Sequence, residues 1–207
     1  MSTNEERCQN LLINYGFDND IDEFLNEKEP PKEPKKKGAK PSFETIELQK
    51  LQTKREAEFR SWLIENRPKH SVMTAIETTT ATGVPDIFAC YTGKSFWLEC
   101  KSLISPALTY LRGTQYIYFK KLIEAGGKGK ILTQCILRQT QKAATIQIYN
   151  AEDIVCHPID FFKASGQRLY FPKTIKPRHV WHYNQQANYT TEYLYQLIFL
   201  DNEDIIW

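Results

Sequence analysis

Three residues of chemical interest stand close together in the middle of the chain. Asp86 follows Pro85, and Glu99 and Lys101 flank Cys100 thirteen residues later. Between them run two short apolar stretches, Ile87–Tyr91 and Phe96–Leu98, separated by Thr92-Gly93-Lys94-Ser95. Read as strands, they form a hairpin. Side chains alternate along a strand, so Trp97, Glu99 and Lys101 share a face, with Glu99 and Lys101 about 7 Å apart at roughly 3.4 Å rise per residue. A two- or four-residue loop centred on Gly93 and Lys94 sets Asp86 opposite Lys101 and Phe88 opposite Glu99, which brings Asp86 to the same face. A three-residue loop sends it to the other. Two carboxylates meeting at a strand end can hold Mg²⁺ or Mn²⁺, a hard cation that takes oxygen ligands and keeps several waters. Such an ion stabilises charge on a phosphodiester and lowers the pKa of a bound water. Lys101 can orient that nucleophile or neutralise the developing phosphorane charge. The chemistry expected is phosphodiester hydrolysis.

The elements that must position these groups follow from spacing. Phe43 to Asn66 has no Gly or Pro, and Ile46, Leu51, Phe59, Trp62 and Leu63 recur at helical intervals, so a long helix should end before Pro68. Strands are expected over Val72–Thr79, Asp86–Tyr91 and Ser95–Lys101. A helix is expected over Thr114–Glu124, with Thr114 as N-cap and Gly126 as its stop, then strands over Ile131–Leu137 and Thr145–Tyr149. The order is αβββαββ. Beyond Ala151 a helix is expected near Glu152–Cys156 and a helix or strand around Thr191–Leu200.

At this point Gly83-x-Pro85-Asp86, Glu99-x-Lys101 on a strand, and Leu111-x-x-x-Gln115 opening a helix that ends in Ala125-Gly126 resemble the PD-(D/E)XK nuclease superfamily. More narrowly they resemble its virus-type replication-repair branch, close to phage Holliday-junction-resolvase-like enzymes. The resemblance covers roughly residues 55–138. It implies an α/β, restriction-endonuclease-like core (αβββαβ, a mixed sheet flanked by helices) and a metal-dependent DNA endonuclease in phage or viral replication, recombination or repair, with branched or junction DNA as one substrate class. It also implies a metal role for the Cys100 backbone carbonyl, a catalytic role for Gln115 on water or phosphate, and a further acid on the first helix. Glu56 and Glu58 are both available. Glu56 shares the apolar stripe of Phe59 and Leu63 that should face the sheet, and Glu58 shares its side with Trp62 and Glu65.

Charge distribution fits an anionic partner. The 207 residues carry a net +2, yet residues 94–142 hold nine basic residues against Glu99 and Glu124. Arg112, Lys120, Lys121, Lys128 and Lys130 are candidates for sequence-independent contact with DNA phosphates. Lys163 to Arg178 has five basic residues and no acid, interleaved with Tyr170 and Phe171, a composition that suits either a nucleic-acid clamp or a solvated loop. The rival reading is a catalytically silent nucleic-acid-binding or assembly module, which needs the basic surface but not the acids.

Around this core, residues 1–28 read as a short acidic helical appendage able to bind another protein, 29–42 as a Pro/Lys-rich linker, 43–150 as the nuclease core and 151–207 as an extension packed on it. Five scattered cysteines without a CxxC suggest neither a disulfide framework nor a zinc ribbon. The absence of a signal peptide or ~20-residue apolar run points to a cytoplasmic protein without a membrane partner. A homodimer is expected only if junctions are cut symmetrically. Gly93-Lys94-Ser95 lacks the leading glycine of a phosphate loop, since position 88 is Phe88. His179-x-x-His182 without paired cysteines is a poor zinc motif.

Overall fold

The computed structural model describes residues 43–77, 83–103, 109–136, 142–157, 163–165, 168–183 and 190–199. The appendage and linker expected over 1–42 lie outside these residues. The chain divides into two compact units, 1–50 and 51–207, and every side chain discussed below belongs to the second.

Helix α1 spans Phe43–Glu65 and stops before Pro68. Strands β1 (Val72–Ala75), β2 (Ile87–Tyr91) and β3 (Lys94–Leu103) follow. Next come β4 (Tyr110–Arg112), α2 (Gly113–Glu124), β5 (Gly129–Ile136), β6 (Ala143–Asn150), α3 (Ala151–Val155), β7 (Lys163–Ser165), β8 (Arg168–Tyr170), β9 (His179–His182) and α4 (Thr191–Phe199). The main sheet has the order β1-β2-β3-β5-β6-β9. Only β3 and β5 are parallel, as expected where a helix carries the chain between two strands of one sheet. The result is a mixed α/β fold of the expected αβββαβ order, a six-stranded sheet flanked by helices.

One face of the sheet holds the main core. Phe59 and Leu63 of α1 and Leu194, Tyr195 and Ile198 of α4 are buried with Phe96, Leu98, Cys100, Leu132, Ile146 and Ile148. Each fully buried aliphatic or aromatic side chain contributes about 1.5–3 kcal/mol. The Tyr195 hydroxyl donates to the Leu63 carbonyl and ties α4 to α1. On the opposite face Trp97 contacts Phe88 and Tyr118 of α2, so the odd-numbered residues of β3 look toward α2.

Within residues 151–207, β9 forms an edge strand of the main sheet and α4 supplies buried side chains. Several expectations are corrected. The segment before α2 is a strand: Leu111 lies in β4, which pairs with β8 in a separate three-stranded sheet, β4-β8-β7. The N-cap of α2 is Arg112 rather than Thr114. Among the described residues, Cys90, Cys100 and Cys135 are free thiols. His179 and His182 stand three apart on a strand, and such spacing points side chains to opposite faces, which suits no shared ion.

Candidate active site

The hairpin that carries the acids closes through Thr92 and Gly93, with Tyr91 paired to Lys94 and Ile87 to Leu98. Both turn residues have positive φ, 49° and 78°, as a type I′ two-residue turn requires. The loop is therefore centred one residue earlier than expected. Continued by one residue, the register sets Asp86 across from Glu99 rather than Lys101. The slip is two residues in the pairing, so parity is kept and Asp86 stays on the Glu99 face.

Glu99 and Lys101 are almost completely enclosed, at 1% and 2% exposure. Lys101 Nζ donates to Glu99 Oε1 at 2.6 Å and to Gln115 Oε1 at 3.2 Å. Gln115 Nε2 donates to the same Glu99 oxygen at 2.5 Å, and the Arg112 backbone N–H donates to Gln115 Oε1 at 3.0 Å. Gln115, the third residue of α2, thus caps the helix entry and joins both members of the buried ion pair. Its carbonyl oxygen serves the cation and its amide the anion.

Asp86 is held from two sides. Its Oδ2 accepts the Cys100 backbone N–H at 2.8 Å and its Oδ1 faces Arg60 Nη1 at 3.3 Å. Arg60, on α1, was not singled out from sequence; an arginine one turn beyond Glu56 on the same helix was the available signal. The approach to Asp86 depends on Gly83, where φ is +88° and a Cβ would stand 2.4 Å from the Thr114 carbonyl oxygen. Only glycine permits this backbone to pass so close to the start of α2.

On α1, Glu56 is partly buried and its Oε1 makes long contacts with the Ser102 backbone N–H (3.5 Å) and Gln52 Nε2 (3.4 Å). Glu58 is exposed and pairs with Lys54 at 3.7 Å. The helix therefore brings Glu56, not Glu58, to β3.

Electrostatics mark the cluster as short of positive charge. Burial pushes the Glu99 carboxyl up to about 7; Lys101 opposes the shift and the carboxylates of Asp86 and Glu56 reinforce it. Burial also raises Glu56, against Lys101 and the Ser102 N–H. For Lys101, burial works to lower the pKa, but Glu99 and Glu56 outweigh it and the ammonium is held above its ordinary value. Glu99 Oε2 has no hydrogen-bond partner among the described residues, and neither does Thr133 Oγ1, whose residue pairs with Lys101 in the sheet. A buried carboxylate oxygen left without a donor is costly. With Asp86 and Glu56 close enough to perturb it, the donor set is all oxygen and suits a hard divalent cation. Among the described residues, no group of three or more His, Cys, Asp or Glu is arranged as a ready-made cage.

The basic candidates divide. Arg112, Lys121 and Lys128 are exposed. Lys120 is largely enclosed and pairs with Glu124 at 3.8 Å. Lys130 is a correction: it is 2% exposed, and its ammonium lies 4.9 Å from the Phe96 ring centroid on the core side of the sheet, because even-numbered residues of β5 face that way. Buried there, it cannot meet a phosphate on the surface. Tyr110, missed from sequence, lies against the cluster, with Lys101 Nζ 5.3 Å from its ring centroid and Gln52 Nε2 3.4 Å from its hydroxyl.

A search of solved structures finds likeness to Hjc of Archaeoglobus fulgidus, a Holliday junction resolvase from an archaeal hyperthermophile. The identity is 11%, covering 60% of this chain and 90% of that one, with a TM-score of 0.38. No protein-family model matches the chain, and no curated protein matches it. So loose a likeness leaves function to be argued from the site itself. Among the described residues no helix is long and apolar enough to cross a membrane.

Proposed function

We propose that the chain is a divalent-metal-dependent nuclease that hydrolyses DNA phosphodiester bonds. Asp86 and Glu99 are the principal carboxylates for the ion, Glu56 is the acid from α1, and the Cys100 carbonyl is a further ligand. The observation that supports this most is the unpartnered Oε2 of Glu99, buried beside Lys101 on the face that Asp86 shares. A bound Mg²⁺ or Mn²⁺ would supply charge stabilisation at the phosphodiester and a water of lowered pKa. The remaining work falls to the chain. Cys100 N–H fixes the Asp86 carboxylate. Lys101, held against Glu99, keeps a positive charge beside the carboxylates that would hold the ion. Gln115 keeps Lys101 and Glu99 in one orientation, and Arg112, Lys121 and Lys128 attract the phosphate backbone.

The finer assignments, to the virus-type replication-repair branch and to branched or junction DNA, rest on the placement of Gln115 at the start of α2 and on the basic middle of the chain. Cutting a junction symmetrically would require a dimer. The test is incubation of the full chain with linear, single-stranded, flapped and four-way DNA, and with RNA, in Mg²⁺, Mn²⁺ or chelator. Metal-dependent cleavage that Glu99→Ala abolishes is expected. Cleavage of none of them by the unaltered protein overturns the proposal, and DNA binding without cleavage favours a silent binding module.

A further inference from the structure

The small β4-β8-β7 sheet carries an arrangement that the fold does not need. Arg112 on β4 and Arg168 on β8 are directly paired in an antiparallel register, flanked by the pair Tyr110 and Tyr170. Residues opposite one another in such a pair project to the same face, so the two arginine side chains leave the sheet on one side. Like charges placed this way are destabilising. Among the described residues neither arginine lies within ion-pair distance of a carboxylate. Leu111 and Leu169, on the other face, are buried, and so is Tyr110 on the arginines' own face; Arg112 is exposed and Arg168 half-buried.

The pair is also held in place. The Arg168 guanidinium carbon lies 4.6 Å from the Tyr110 ring centroid. The two rings are 5.5 Å apart. Stacking leaves a planar donor fork preorganised rather than free to sweep solvent. Each arginine is one residue removed from the carboxylate cluster. The Arg112 backbone N–H donates to Gln115, which donates to Glu99, while the ring beneath Arg168 is the one beside Lys101.

We propose that the Arg112–Arg168 pair is an anion site for consecutive phosphates of the DNA strand that enters the carboxylate cluster, with Tyr110 and Tyr170 as its rigid base. Two cross-strand cations, neither of them in an ion pair and only Arg168 influenced by a carboxylate, Glu56, are relieved by a polyanion, and guanidinium forks match phosphate oxygens bidentately. The inference rests on the nuclease reading for its substrate. It differs from a general basic surface in assigning two phosphate contacts to this one cross-strand pair.

The test is fluorescence anisotropy of labelled DNA with the full chain in chelator, where no cutting occurs, over a series of salt concentrations. Arg112→Gln, Arg168→Gln and the double variant are compared with Lys69→Gln, an exposed lysine outside this sheet. Each arginine that neutralises one phosphate should reduce the slope of log K against log salt by about 0.9, and weaken binding about eight-fold near 0.1 M salt. The double variant should lose about 1.8 of slope, and Lys69→Gln should leave it unchanged. Arg112→Gln should melt no lower than the unaltered chain, since it removes a like-charge contact, and this separates lost binding from lost folding.

Slopes in both arginine variants equal to those of the unaltered chain, or a matching fall in Lys69→Gln, overturn the inference while leaving the nuclease reading intact. The expected slope changes in a protein that cuts no substrate support the anion site and remove the nuclease reading. A chain that binds no DNA overturns both.

Discussion

Replacing Glu99 by Gln tests the electrostatic heart of the site. Its carboxyl titrates near 7 in the folded chain against 4.5 as the ordinary value, because burial and the neighbouring acids outweigh Lys101. Below the unfolded value both states are protonated and nothing is gained or lost. Between the two values the native state keeps a proton that the unfolded chain has released, so stability falls as pH rises and is fully reduced above the folded value. At about 1.36 kcal/mol per unit the loss amounts to roughly 3 kcal/mol across the window, or about 10 °C in melting temperature for a domain of this size. Glu56, also raised, acts in the same direction, whereas Lys101 is charged in both states throughout and adds no slope.

The assay is thermal or urea unfolding from about pH 4.5 to about pH 8 in chelator, comparing the unaltered chain with Glu99→Gln. The variant is less stable overall, since Lys101 keeps its charge without an anionic partner. The slope is therefore the readout, and the stability difference between the two proteins should change by about 3 kcal/mol over the window. Mg²⁺ or Mn²⁺ should stabilise the unaltered chain more at the alkaline end, where Glu99 is ionised, and should have little effect on the variant. Parallel pH profiles for the two proteins would refute the reasoning.

Asp86→Asn and Lys101→Met should each lower cleavage by about 10²-fold or more, with chelator-phase DNA binding within a few-fold of the unaltered chain, measured by gel cleavage and anisotropy. Gly83→Ala places a methyl group 2.4 Å from the Thr114 carbonyl at a φ of +88°. It should cost about 2–3 kcal/mol in chemical unfolding and reduce cleavage by displacing Asp86 from α2. Thr92→Asn should stabilise by about 1 kcal/mol, because a β-branched residue is poorly suited to the left-handed conformation that a type I′ turn demands, and should leave cleavage unchanged.

The parts of the fold legible in the sequence are those whose apolar spacing is long enough to show a period. Phe59 and Leu63 announce the buried stripe of α1, and alternation through Phe96, Leu98 and Cys100 separates the core face of β3 from the face bearing Glu99 and Lys101. The β4-β8-β7 sheet was not legible: its strands are three residues each, and Tyr110 pairs with a partner sixty positions away. Strand β9 was hidden in a Pro- and aromatic-rich stretch. Lys130 was misjudged because a basic residue in a basic segment reads as solvated, whereas the pleat of β5 turns it over Phe96. Residues 1–42 lie outside the described structure, so the appendage and linker stay as expectations.

The turn shows how a register can shift without changing the face on which Asp86 stands. Nothing in the composition of Thr92-Gly93-Lys94-Ser95 says which pair occupies the corner, and the steric preference against Thr at positive φ argues for the later one. The structure adopts the earlier one, 49° at Thr92 included. Since the face of a side chain depends only on whether the pairing shifts by an odd or even count, this shift of two preserved the convergence of Asp86 with Glu99. The Asp86 carboxylate, fixed by Cys100 N–H and Arg60, repels the Glu99 carboxylate, which is fixed by Lys101 and Gln115. That repulsion is part of what holds Glu99 near neutrality and leaves an oxygen of that carboxylate suited to a cation.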